Sequence, residues 1–179
     1  MSTLEVKAIQ APTGYDLQMP AGHILQTVST TKTDTWTYTG STTLQDVTGL
    51  SATITPTSTS SKILVQVSLT FTASGRYSGA RLLRGSTYIG GGDSSGSRSS
   101  VSVSPQANEG ETGNAYVLRT SSFSYLDSPS TTSATTYKIQ AGNPYDSSVT
   151  TYVNRIQTDS DAAWSQRGSS TITLMEVAG

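Results

Sequence analysis

Apolar and polar positions alternate with a period of two through much of this chain. The plainest run covers residues 62–71, where Ile63, Val65, Val67, Leu69 and Phe71 share one face while Gln66, Ser68 and Thr70 share the other. Successive side chains on a pleated backbone point to opposite sides, so this is the pattern of a strand with one face on a core. A shorter strand precedes it through Val47, Leu50, Ala52 and Ile54 and stops at Pro56. Residues 57–61 are all serine or threonine and read as a turn, so the two strands are expected to form a hairpin. In residues 170–177 both faces turn apolar after Thr173, which suits a central strand or a subunit contact.

Fainter strands fill the gaps at 22–30, 36–38, 80–83, 99–103, 115–126, 136–141 and 148–156, separated by turn signals such as Asn143-Pro144 and Arg167-Gly168. No long window has helical spacing, and one turn over 159–165 is the most helix the pattern offers. Many short strands at such intervals predict an all-β protein, a jelly-roll-like β-sandwich over residues 23–179. Residues 1–22 differ: Leu4, Val6, Ala8 and Ile9 form a brief strand-like stretch, and Pro12, Gly14 and Pro20 then interrupt the chain before the sandwich pattern begins. An isolated strand must find partners for its backbone groups. The expectation is an extended N-terminal arm that docks on a neighbouring subunit or larger assembly through Leu4, Val6 and Ile9.

Composition sharpens this picture. Leu, Ile, Val and Phe make up only about 18% of the residues and charged residues 13%, while Ser and Thr supply about a third. A net charge of −1 removes the self-repulsion that accompanies disorder, and threonine is β-branched, so the chain reads as ordered but thin-cored. The balanced charge gives no general attraction to nucleic acid or anionic membranes. No apolar run is long enough to span a bilayer, and the first residues lack the pattern of a secretory signal. Without cysteine there are no disulfides, which makes oligomerisation the expected source of robustness.

Candidate chemistry is sparse. Gly92-Asp93-Ser94-Ser95-Gly96 matches the G-x-S-x-G pattern of a hydrolase nucleophile turn, but a serine needs a positioned base and an oxyanion hole. His23 is the single histidine, Lys62 and Lys138 sit in strand patterns, and no strand–helix alternation exists, so the stretch reads as a polar loop. The glycines at 90–92 lack the ending of a phosphate-binding loop. Asp159-Ser160-Asp161 begins like a calcium loop, but Ala162-Ala163-Trp164 follows where ligands would continue. Asp46, Glu109, Glu111 and Asp127 stand singly. No catalytic residue, cofactor or metal site is expected.

Arg76, Arg81, Arg84 and Arg98, with Tyr77 and Tyr88 nearby, make the middle of the chain locally basic. Arginine and tyrosine favour interfaces, although edge-strand charge that blocks aggregation explains the same residues. The candidate contact residues are Arg76, Tyr77, Arg98, Asn143, Tyr145 and Trp164.

Several segments carry a resemblance: residues 1–10 with 19–28, Asp46-Val-Thr-Gly-Leu-Ser51 with Ile54-Thr-Pro56 and residues 60–65, Phe123-Ser-Tyr-Leu-Asp-Ser-Pro129 with residues 136–140, and the ending at 170–179. Together they resemble small virion structural proteins of tailed bacteriophages of aquatic bacteria, often labelled tail-fibre proteins, over almost the whole chain. The resemblance implies a trimeric jelly-roll-like module on the phage particle surface, made in the host cytoplasm and in contact with other virion proteins. It carries no catalytic motif. It implies one of two roles: a tail fibre or fibre tip that meets a host glycan or protein receptor through loops 90–100 and 143–148, or a cement protein that decorates the capsid.

Overall fold

The alternating run at Lys62 becomes the longest strand. The computed structural model describes residues 20–93, 95–105 and 116–179. Leu4, Val6 and Ile9 of the expected arm, together with Ser94, Glu109 and Glu111, lie outside the described residues. Among those described, the strands are β1 (Ile24–Lys32), β2 (Trp36–Tyr38), β3 (Gln45–Ile54), β4 (Lys62–Ala73), β5 (Gly79–Arg84), β6 (Thr87–Ile89), β7 (Thr120–Asp127), β8 (Thr135–Gly142), β9 (Thr151–Val153) and β10 (Ser170–Val177). No described helix is long and apolar enough to cross a membrane.

All pairings are antiparallel and build two sheets. In the first, β10 lies between β1 and β4, with β7 on the other side of β4; β9 and β2 extend it. The second has the order β3-β8-β5-β6. Setting aside the short β2 and β9, the first strand pairs with the last, the second with the next to last, and so inward to β5 with β6. A ribbon rolled up in this way is a jelly roll, and the all-β sandwich of the sequence reading is the observed fold. β10 is central, as its two apolar faces implied.

Ile63, Val65, Val67, Leu69 and Phe71 of β4 are buried against Leu50, Ala52 and Ile54 of β3, Leu82 of β5 and Tyr137 and Ile139 of β8. Each fully buried aliphatic or aromatic side chain contributes about 1.5–3 kcal/mol, so a lean sequence is stabilised by concentrating its apolar residues between two sheets. The outer face of the first sheet is different. Its central rows read Ser29–Thr173–Gln66–Ser124 and Thr31–Thr171–Ser68–Ser122 across four strands, hydroxyls and one amide with no charge. Ser29 and Thr173 hydroxyls meet at 2.9 Å, and on the second sheet those of Thr53 and Thr136 meet at 2.7 Å.

The expected hairpin of the strands around Ile54 and Ile63 is not formed. β3 pairs with β8 and β4 with β10, so residues 55–61 carry the chain from one sheet to the other. The reason is burial. Each strand has one apolar face, and placing the two strands in opposite sheets sets those faces against a common core. The crossing is held by Glu176, whose Oε1 accepts from the Thr57 N–H and hydroxyl, each at 2.7 Å. Other differences are local. The strand expected at 148–156 shrinks to β9 because Asn154 adopts φ 62° and ends it. At 99–103 only Val103 bridges, to Ala80, and 159–165 forms a turn rather than a helix.

Two buried acids close one end of the core. Glu176 and Asp127 flank Ile63 on the inner face of the first sheet. Glu176 also accepts from the Gln26 amide at 2.6 Å. Burial opposes its charge, yet the hydrogen bonds from Gln26 and Thr57 outweigh that and hold the carboxyl below its ordinary value. Asp127 receives Arg84 Nη1 on both oxygens at 2.9 Å and the Tyr137 hydroxyl at 2.7 Å. Burial first, then Asp127, pushes the Tyr137 phenol far above its ordinary range, so it stays a donor. Arg84 therefore points inward and is not the surface charge the sequence suggested. Arg81 lies over the Tyr88 ring, 5.3 Å from its centroid.

Candidate functional site

The strand register sorts the connections by end. The short ones, 55–61, 85–86 and 128–134, lie at the end where Ile24 faces Val177 and Ile54 faces Thr135. The long ones, 33–44, 143–150 and 154–169, belong to the opposite end, where Lys32 faces Ser170 and Gly79 faces Gly142, together with the five-residue connection 74–78 and residues 90–93, 95–105 and 116–119. Pro20 is at the short-loop end, since Gly22 and His23 exchange backbone hydrogen bonds with Ala178.

A cleft of about 490 Å³ opens at the long-loop end. The β4–β5 connection contributes Tyr77 and Ser78, the segment after β6 contributes Ser97, Arg98, Ser99, Val101 and Ser104, and the β8–β9 loop contributes Pro144 and Tyr145. The two tyrosines set the shape. Tyr77 and Tyr145 are 60% and 74% exposed, and their rings meet edge to face at 5.2 Å between centroids. Tyr77 sits at φ 68°, a region that a bulky side chain occupies at a cost of about 1–2 kcal/mol. An exposed aromatic in a conformation that suits glycine adds little to folding, which directs attention to what its ring meets from outside.

Beneath the rings the loops are tied down. Asn143 is buried, and its Nδ2 donates to the Arg76 carbonyl while its Oδ1 accepts from the Tyr145 and Asp146 N–H groups at 2.9 and 2.8 Å. This joins the two tyrosine-bearing loops through one amide. Hydrogen bonds from the Ser148 hydroxyl and N–H hold the Asp146 carboxyl below its ordinary range and tighten the same loop. Buried Ser78 shares a hydroxyl contact with Thr151 at 3.0 Å, and its carbonyl accepts from Ser104 at 2.8 Å. Gly79 allows the approach from the other side, because a Cβ there would stand 2.5 Å from Val101 Cγ1. Arg98 Nη1 donates to the carbonyl and hydroxyl of Ser95 at 3.2 and 3.1 Å, which fixes its guanidinium on its own loop.

Of the six contact candidates, the structure brings five to this place in different roles. Tyr77, Arg98 and Tyr145 line the cleft; Arg76 lends a backbone carbonyl; Asn143 is the buried tie. Trp164 stands apart, 51% exposed and edge-on to Tyr116 at 5.4 Å. The serines at 78, 97, 99 and 104 were not singled out by sequence, where serine is too common to signal anything. What could have marked two of them is that Ser97 and Ser99 bracket the arginine.

The other motifs resolve by geometry. His23 immediately precedes edge strand β1, with Nδ1 3.1 Å from the Pro20 carbonyl, whereas residues 90–100 come after β6, an edge strand of the other sheet. β1 lies beside β3 and Gly90 beside Tyr125 of β7, so the histidine and the Gly-Ser loop are on opposite sides of the sandwich. Lys138 Nζ is taken by Asp46 at 2.6 Å. Asp159 is held by Arg167 at 2.7 Å and Arg155 at 3.5 Å, two cations that compete with any ion for its oxygens. No group of three or more metal-ligating side chains occurs among the described residues. In comparisons with known proteins, no family model and no curated protein matches the chain.

Proposed function

We propose that this protein is a non-enzymatic surface protein of a tailed-phage virion, a tail-fibre or fibre-tip module for host attachment. The observation that carries the reading is the separation of the two ends. Exposed Tyr77 and Tyr145 and the cation Arg98 converge in a cleft on tied loops at one end, and the chain enters the sandwich at the other. Binding residues on loops held by a rigid scaffold are the usual arrangement for recognition. The resemblance of the sequence segments to virion proteins supplies the setting, in which the N-terminal arm faces the particle and the cleft faces outward.

In this reading the module is a homotrimer. The uncharged rows of Ser29, Thr173, Gln66 and Ser124 and of Thr31, Thr171, Ser68 and Ser122 offer a sheet face that copies can share without charge repulsion, and closed symmetry limits the assembly. Sedimentation at micromolar concentration is expected to give a trimer; a stable monomer overturns the trimeric assignment. Attachment is tested by binding of the purified, fluorescently labelled protein to cells of a permissive host, with Tyr145→Ala expected to lose most of it. Absence of binding, together with a copy number per particle that matches the capsid lattice, replaces attachment with the capsid-cement role.

A further inference from the structure

The cleft's lining specifies a ligand chemistry. Two exposed phenol rings give flat, weakly electronegative faces that suit the polarised C–H groups of a saturated ring. The hydroxyls of Ser97 and Ser99 can donate and accept at its wall, and that of Ser104, whose proton goes to the Ser78 carbonyl, can accept, the complement of a polyol. Arg98 supplies the charge. Its Nη1 is taken by Ser95, but its Nε and Nη2 groups meet no acceptor among the described residues, and no carboxylate stands among the described residues that line the cleft. A guanidinium anchored through one Nη, with its other N–H groups meeting no acceptor among the described residues, is suited to a carboxylate.

We infer that the cleft binds one pyranose ring bearing a carboxylate, an acidic sugar unit, with the ring against Tyr77 and Tyr145 and the carboxylate on Arg98. The inference rests on the attachment reading for where such a sugar is met, namely in a surface polysaccharide, while the binding itself is a property of the isolated protein. The conformation of Tyr77 adds independent weight. Glycine there would relieve the backbone at φ 68°, so an aromatic in its place fits a role for the ring.

The test titrates the purified full chain with glucuronic acid, glucose and a glucuronate-containing oligosaccharide, followed by calorimetry and by the tyrosine resonances in NMR spectra. Glucuronic acid is expected to bind at least about tenfold more tightly than glucose, as a charge-assisted pair requires, and to weaken with added salt. Arg98→Gln is expected to erase that preference. Tyr77→Gly is expected to lose binding while its melting temperature holds or rises, which separates loss of a contact from loss of the fold. Equal affinity for acid and neutral sugar, or an unchanged preference in Arg98→Gln, overturns the acidic assignment. No binding of any of the three sugars overturns the site. Cell binding by protein that ignores these sugars sinks this inference and spares attachment; sugar binding without cell binding does the reverse.

Discussion

The two ends of this sandwich use the same kinds of residue for opposite purposes. At the short-loop end Arg84, Tyr137 and Asp127 form a closed set, each polar group satisfied by another and the acid buried. At the long-loop end Arg98, Tyr77 and Tyr145 stand around an open cleft, and the buried polar contacts are made below them by Asn143, Ser78 and Thr151. Arginine and tyrosine are therefore structural or available according to whether a carboxylate of the same chain reaches them. A buried set is costly to break, because an unpaired group remains; an open one is cheap to alter.

The contrast can be broken most severely at the closed end. Asp127→Ala is expected to cost about 3 kcal/mol, the lower end of the range for a broken buried pair because Arg84 is 31% exposed and can turn to water. Urea unfolding reads this directly, and sugar binding below the transition is expected to be unchanged. Next comes Asn143→Ala, expected to cost about 1–2 kcal/mol for the groups it leaves unpaired. Unlike the first, it is expected to weaken sugar binding too, since it frees both tyrosine loops; unaltered binding would show that the loops hold themselves.

Acid separates the ends more gently. The folded-state value of Glu176 lies below the unfolded one, so its stabilisation is complete above the ordinary carboxylate range and is lost as pH falls through the folded value. Glu176→Gln is expected to lower stability in the neutral region and flatten the acid limb of a stability–pH curve, so that it converges on the wild type at low pH; a curve parallel to the wild type would contradict this. The smallest effect is expected on the exposed sheet face. Thr53→Val removes one hydroxyl pair and is expected to shift stability by less than about 0.5 kcal/mol in the same urea assay.

How much of this was legible in the sequence depends on the range of each cause. The alternation in residues 62–71 reports a local property, which faces are wet, and it holds in β4 as far as Leu69, beyond which Thr70 is buried as well. The partner of a strand is not local. The hairpin expected around residues 57–61 failed because two neighbouring strands with apolar faces can equally be placed opposite one another across a core, and the Glu176 that secures the crossing comes from the last strand. β6 is too short to carry a period. At the site, Tyr77, Arg98 and Tyr145 drew notice for their chemistry, but their meeting depends on three connections far apart in the chain. Asn143 shows the limit: its side chain was legible as polar and near a turn, yet only the fold shows that it is buried and faces inward.

The pairing of β1 with β10 has a mechanical consequence. A pull between the chain's entry at Pro20 and a ligand held by the distal tyrosines runs along the strands, so the cross-strand hydrogen bonds, which lie perpendicular to it, resist together in shear. Were the same pull applied between Pro20 and Gly179, which leave side by side, the bonds would break in sequence, rung after rung. The roll is loaded in its strong direction only when its grip is at the far end.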